Sequence, residues 1–312
     1  MDTNVQLQAP VPGVGADRPA VVDEVDLIPV RTYWQLVRQR FMQHRLAVVA
    51  LVLLSLLVAL AWIIPTLTGE LYQKTSLSLI DQGPSLAAPL GYDHLGENTF
   101  VRLMRATQTS LTIGFAAVLI IVGIGVTLGA IAGYVGGWVD NLLMRFVDVV
   151  LSIPSFFFIV ALVAFWGGGN VWVIIFAIGL AGWTTAARLV RAEFLRLREV
   201  DFVQAARALG ASPRRIVLRH MLPMALAPIL VAATLGIADS VVLEAALSFL
   251  GFGISPPEAS LGNMLNNAQR YFYREPILMF YPGIMLILVV LCASFLGDGL
   301  RDALDPRQRI ER

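Results

Sequence analysis

Few residues in this chain could do chemistry, and their spacing excludes more than it allows. His44, His94 and His220 lie far apart, and none stands in a His-x-x-x-His or Gly-x-Ser-x-Gly context. A phosphate-binding loop needs a lysine closing a glycine-rich turn, because that lysine reaches the β and γ phosphates. The one lysine, Lys74, follows Gln73, so any ATP chemistry must belong to a partner. Cys292 is the one cysteine, which excludes a disulfide framework and a cysteine metal cluster within the chain. His94 beside Asp93, with no third ligand near, reads as a turn. No catalytic residue, metal site or cofactor of the chain's own is expected.

Two other sets of residues invite a function. The first is a group of acids inside apolar stretches, where charge is costly and therefore suggests a role. Asp148 falls in one such stretch, Asp239 and Glu244 in another. Ser240, Glu244 and Ser248 recur every four residues and so share one helix face. The stripe could line a water-filled pathway, or Glu244 could pair structurally between helices; for Asp148 a structural pair is the expectation.

The second set is Asp201 to Pro223, DFVQAARALGASPRRIVLRHMLP. Gln204, Ala205, Ala206, Arg207, Ala208 and Leu209 include strong helix formers and no β-branched residue. Gly210 then stands where a helix can end in a left-handed turn. Ser212-Pro213 suits an immediate restart, with serine as N-cap and proline at the first helical position. The stretch reads as a short helix, a tight turn and a new helix climbing into an apolar segment. An arginine-rich elbow of this kind, spanning 188–223 with its flanks, is suited to receive a push from a soluble partner.

The elements that must hold these residues are membrane helices. The chain is 57% hydrophobic and 14% charged, against about a quarter charged in soluble domains. Residues 1–30 lack helical periodicity and read as a mobile tail. Over 31–45, Trp34, Val37 and Phe41 share a face opposite Arg31, Gln35, Arg38 and Arg45, the pattern of a helix lying in the membrane interface. Six spans are expected: Leu46–Ile64, closed by Pro65; Ser110–Gly133; Leu142–Phe165, bent at Pro154; Val171–Ala187; Met224–Phe249; and Pro276–Leu296. Residues 66–105 form a polar loop. Gly125, Gly129, Gly133 and Gly137 recur every four residues, a stripe that lets another helix approach closely, within the subunit or from a partner.

Six spans place both termini on one side, and basic residues choose that side. Of 23 lysines and arginines, all but Lys74, Arg102, Arg105, Arg270 and Arg274 fall in the N-terminal segment, the second-to-third connection, the elbow or the C-terminal tail. The elbow is expected to be cytoplasmic and the loop 66–105 external. The formal net charge of +1 gives no case for nucleic acid.

The spacing of the elbow carries a resemblance. Ala205-Ala206, then Gly210, then His220 ahead of Leu222-Pro223 resembles the coupling motif of ABC importer permeases, with Gln204 at the usual glutamate position. A histidine ahead of Leu-Pro is similar to the peptide and nickel branch. Pro89-Leu90-Gly91-Tyr92-Asp93 and Leu247-Ser248-Phe249-Leu250-Gly251 resemble further signatures of that branch's C-type permease. The resemblance implies an all-α membrane protein of the type I importer fold, whose cytoplasmic coupling elbow lies between helices 4 and 5. It implies a homologous second permease, two ATPase subunits holding ATP and magnesium, and an extracytoplasmic binding protein. Peptides, nickel complexes and glutathione-like solutes all remain open as substrate. A secondary transporter is the runner-up, but no internal repeat is visible and the elbow would then lack a role.

Overall fold

A computed structural model describes residues 32–304. The expected tail 1–30 and the end of the chain from 305 lie outside the described residues. Among those described, the structure is helical, with two isolated bridges and no strand ladder.

Helix α1 (Tyr33–Gln43) turns Val37 and Phe41 against the end of the last helix, while Trp34 stays 63% exposed. The apolar face of this amphipathic helix is therefore shared between protein and surroundings. His44 breaks the chain before α2 (Arg45–Thr68), and its Nδ1 accepts the Ala47 amide at 3.1 Å as a cap. Pro65 does not close this helix as expected. It sits in the last turn, where its carbonyl accepts the Gly69 amide, and the helix runs on to Thr68. Pro65 offers no amide to the Ala61 carbonyl one turn back, yet the helix runs on through it to Thr68.

The loop that follows is stitched by turns. The Asp93 carboxylate accepts the amides of Leu95 and Glu97, both at 2.9 Å, and His94 stacks on Tyr271 with ring centroids 3.9 Å apart. Burial lowers the His94 pKa and, against the pull of its ion-pair partner Arg102, raises that of Glu97 to about 7. Asn98 caps α3 (Thr99–Val135) by accepting the amides of Phe100 and Val101. The helix thus begins well before the expected Ser110, and its polar first turns lie in what reads as loop.

After the Gly136 turn come α4 (Gly137–Leu151) and α5 (Ser155–Trp166), bent by 83° where Pro154 interrupts the amide ladder. Helix α6 (Val171–Arg198) continues straight through Ala187, the expected end of its span, to Arg198. Two short helices, α7 (Asp201–Ala208) and α8 (Pro213–Arg215), form the elbow. Helix α9 (Leu222–Phe249) follows, then α10 (Leu261–Arg270) and α11 (Ile277–Leu304), which extends past the expected limit at Leu296. Among the described residues five helical stretches are long and apolar enough to cross a bilayer, and the bent α4–α5 pair makes six if it counts as one span.

The glycine stripe explains the centre of this bundle. Added Cβ atoms at Gly125, Gly129 and Gly133 would stand 2.5 Å from Ala186 Cβ, 2.5 Å from the Ala187 carbonyl and 2.6 Å from Phe194 Cβ. The stripe is therefore spent within the subunit, seating α3 on α6, whereas Gly137 faces open space. Gly129→Leu is expected to destabilise the subunit by at least about 1–3 kcal/mol through overpacking. Gly123→Ala, where nothing lies within 4 Å, should be close to neutral. Thermal unfolding of the two variants in detergent checks this.

Candidate functional site

The elbow is built on a buried base. Phe194 and Leu197 at the end of α6, Val203 on α7, and Ile216 and Met221 ahead of α9 are buried together in one cluster with Val190, Ala225 and Ile229. Ala206, Ala211 and Leu222 pack against its edge. Small side chains at 206 and 211 let α7 lie close to this base.

The turn follows from its backbone bonds. Gly210 has φ +78°, the Ala211 amide reaches back to the Ala206 carbonyl and the Gly210 amide to the Arg207 carbonyl, each at 3.0 Å. This is the Schellman arrangement, in which a left-handed residue satisfies the last carbonyls of a helix. Ser212 occupies the N-cap position and Pro213 the first helical position, but the serine hydroxyl makes no cap bond. The helix then widens into a π segment, Ile216–Met221, containing His220 and ending at Leu222-Pro223. Pro223 brings no amide, and its ring would press on a preceding carbonyl, so a wider turn relieves the clash.

Above that base the elbow presents an exposed face. Gln204, Ala205, Arg207 and Gly210 are exposed, Leu209 is 88% exposed, and His220 is half-buried. The Gln204 amide lies 3.5 Å from Glu199, at the limit of a hydrogen bond. Most arginines of the expected elbow are already engaged. Arg188 donates to Asp148 at 2.6 Å, Arg191 clamps Asp140 with two N–H groups, and Arg196 and Arg198 pair with Glu193 and Glu199. The Arg207 guanidinium lies over the Tyr134 ring, 5.8 Å from its centroid. Arg214, Arg215 and Arg219 make no ion pair among the described residues.

The intramembrane polar residues divide into three groups. A cavity of about 350 Å3 opens between α3, α6 and α9 beside the α4–α5 bend, and Asp239 and Ser240 line it. Glu244 does not. It is 0% exposed and accepts the hydroxyl protons of Ser110 at 2.6 Å and Ser248 at 2.7 Å. Those hydroxyls in turn accept the amides of Leu261 at 3.2 Å and Ile254 at 3.0 Å. Glu244 and Ser248 thus belong to a closed network joining α3, α9, the following loop and the start of α10. Asp148, bound to Arg188, ties α4 to α6 away from the cavity. Ser110 and the cavity hydroxyls Thr184 and Thr185 had no distinguishing sequence signal, since lone hydroxyl residues are ordinary in membrane helices.

Membrane-crossing helices with a protruding elbow before the fifth span are the architecture of an ABC importer permease. A solved structure of the MetNI methionine ABC transporter in an inward-facing conformation is similar in fold, with a TM-score of 0.52 and 22% identity, over 65% of this chain and 96% of that one. Residues 125–310 match the binding-protein-dependent transport system inner membrane component family, and this chain belongs to that family. Residues 32–89 match the N-terminal TM domain of oligopeptide transport permease C. Among curated relatives, the dipeptide transport system permease protein DppC of Alkalihalophilus pseudofirmus is 38% identical, over 88% of this chain and 90% of that protein. The oligopeptide transport system permease protein OppC of Mycobacterium tuberculosis is 37% identical, over 88% and 94%. The glutathione transport system permease protein GsiD of Pectobacterium atrosepticum is 37% identical, over 89% and 92%.

Proposed function

We propose that this chain forms half of a peptide pathway across the cytoplasmic membrane and takes up the ATPase stroke through its elbow. Peptide as substrate is supported by the similarity to dipeptide, oligopeptide and glutathione permeases, since glutathione is itself a peptide. The observation that carries the coupling role is Leu209, a large apolar side chain 88% exposed at the tip of a turn whose base is buried. An apolar knob on a rigid mount suits a pocket on a partner, and force on α7 passes through the buried cluster to both α6 and α9. Two ATP-binding subunits, with their ATP and magnesium, supply that force, a second homologous permease completes the pathway, and an extracytoplasmic protein delivers the peptide. Both termini and the elbow face the cytoplasm.

Two measurements test this. A cysteine placed at Leu209 should cross-link to a co-purifying ATP-binding subunit in native membranes; the buried Cys292 makes the parent chain a suitable blank. Absence of any cross-linked or co-purified ATPase would remove the coupling role. Reporters fused after Arg198 and after Ser85 should read cytoplasmic and external respectively. Finding both on one side would contradict the topology.

A further inference from the structure

We propose that Asp239 is the point at which the permease cavity recognises cations, holding the charged amino group of a passing substrate. The proposal rests on the peptide-importer reading above. Asp239 lies on α9 about 15 Å from the helix end at Phe249, at 1.5 Å per residue, near the middle of a hydrocarbon layer about 30 Å thick. A charge at that depth is costly unless it meets a partner or water. The acids of α4 and the other acid of α9 are engaged: Asp140 meets Arg191, Asp148 meets Arg188, and Glu244 is closed in by Ser110 and Ser248. Asp239 makes no hydrogen bond or ion pair among the described residues, and it is exposed on the cavity wall.

The cavity gives that carboxylate its selectivity. Its volume of about 350 Å3 is of small-ligand size. Val118, Ile121 and Leu243 contribute apolar wall, and Thr184, Thr185 and Ser240 contribute hydroxyls. Among the described residues neither lysine, arginine nor histidine lines it, so this wall offers a counter-charge to an ammonium group and none to a carboxylate. An α-amino group, with an ordinary pKa of about 7.7–8.0, is mostly protonated at neutral pH and fits that demand. The amino end of a peptide, or a cationic side chain, is the group held here.

The test uses the assembled transporter in vesicles and has two arms. In the first, Gly236→Cys places a thiol one helical turn from Asp239, where a new Cβ would meet Val118 at an ordinary 3.4 Å. Cationic and anionic methanethiosulfonate reagents are compared with and without Asp239→Asn, with unmodified Gly236 as the blank. The cationic preference should fall about tenfold in the asparagine variant, the size of effect a close charge pair produces. In the second arm, uptake of trialanine should fall about tenfold in Asp239→Asn and be kept in Asp239→Glu, with subunit assembly unchanged. An unchanged reagent preference, unchanged trialanine uptake, or loss of assembly in Asp239→Asn each overturns the proposal; the last would make Asp239 a partner of the second permease. If the wild-type transporter carries no peptide while the reagent preference still depends on Asp239, the peptide reading fails and cation recognition stands.

Discussion

Gly210→Val is expected to leave this subunit at normal levels in the membrane while uptake collapses and ATP hydrolysis stops responding to loaded binding protein. Gly210 adopts φ +78°, and no atom lies within 4 Å of where its Cβ would stand, so the effect is one of backbone strain and not of collision. Forcing a β-branched residue into that conformation costs roughly 1–2 kcal/mol. That is small beside the packing of α3, α6 and α9, which the elbow does not touch at their centre. It is large for α7, an eight-residue helix held mainly by Val203 and Ala206, because relief of the strain would tilt Leu209 away from its mount. Gly210→Ala should fall between wild type and valine. Gly251→Val, at φ +84° and equally open but beyond the far end of α9, is the matched control for strain alone. Wild-type uptake and stimulation in Gly210→Val would show that this turn is not the coupling element.

Glu244→Ala should do the opposite, removing the folded subunit instead of its coupling. The carboxyl group is 0% exposed and receives two hydroxyls that also anchor the Leu261 and Ile254 amides. Truncation leaves a void and strips both hydroxyls of their acceptor, and each buried polar group left unpaired costs about 1–3 kcal/mol. Together with the void this approaches the whole stability of a marginal fold. Glu244→Gln should be far milder. Its amide oxygen accepts one hydroxyl, and its NH2 can donate to the other, since a serine oxygen has two lone pairs. Membrane levels and detergent melting temperature, alanine against glutamine, read the difference directly. Equal behaviour of the two, with normal levels and altered uptake, would place Glu244 on the pathway and not in the network.

Much of this molecule is legible in its residues, and the illegible parts share a cause. The spans follow from uninterrupted apolar runs, the bend before α5 from Pro154, and the elbow from Gly210 and Pro213, all features decided within a few positions of one another. Helix ends were read less well. Pro65 and the polar turns after Asn98 argue locally for a break, but α2 runs through Pro65 to Thr68, and α3 is capped by Asn98 from outside the apolar run. The candidate site divided in the same way. The turn at Gly210 is local and legible; which of the acids in apolar stretches face the cavity is not. Ser110 meets Glu244 across 134 positions, and Arg188 meets Asp148 across 40, so only the packing of α3 against α9 and α4 against α6 shows which acids are closed in. Asp239, next to Ser240 in the chain but outside the four-residue stripe, is left facing the cavity by the same packing.

Under the proposed function this chain conducts peptide and draws its energy from partners through the elbow. Reconstitution tests it most directly. Radiolabelled dipeptide uptake is measured in vesicles holding either the chain alone or the complete assembly, with ATP and binding protein added or withheld, and with an imposed proton or sodium gradient as the alternative drive. The account predicts uptake only by the complete assembly with both ATP and binding protein present, and no ATP hydrolysis by the chain alone. Gradient-driven uptake by the isolated chain, or hydrolysis by it when free of contaminating ATPase, would contradict the account.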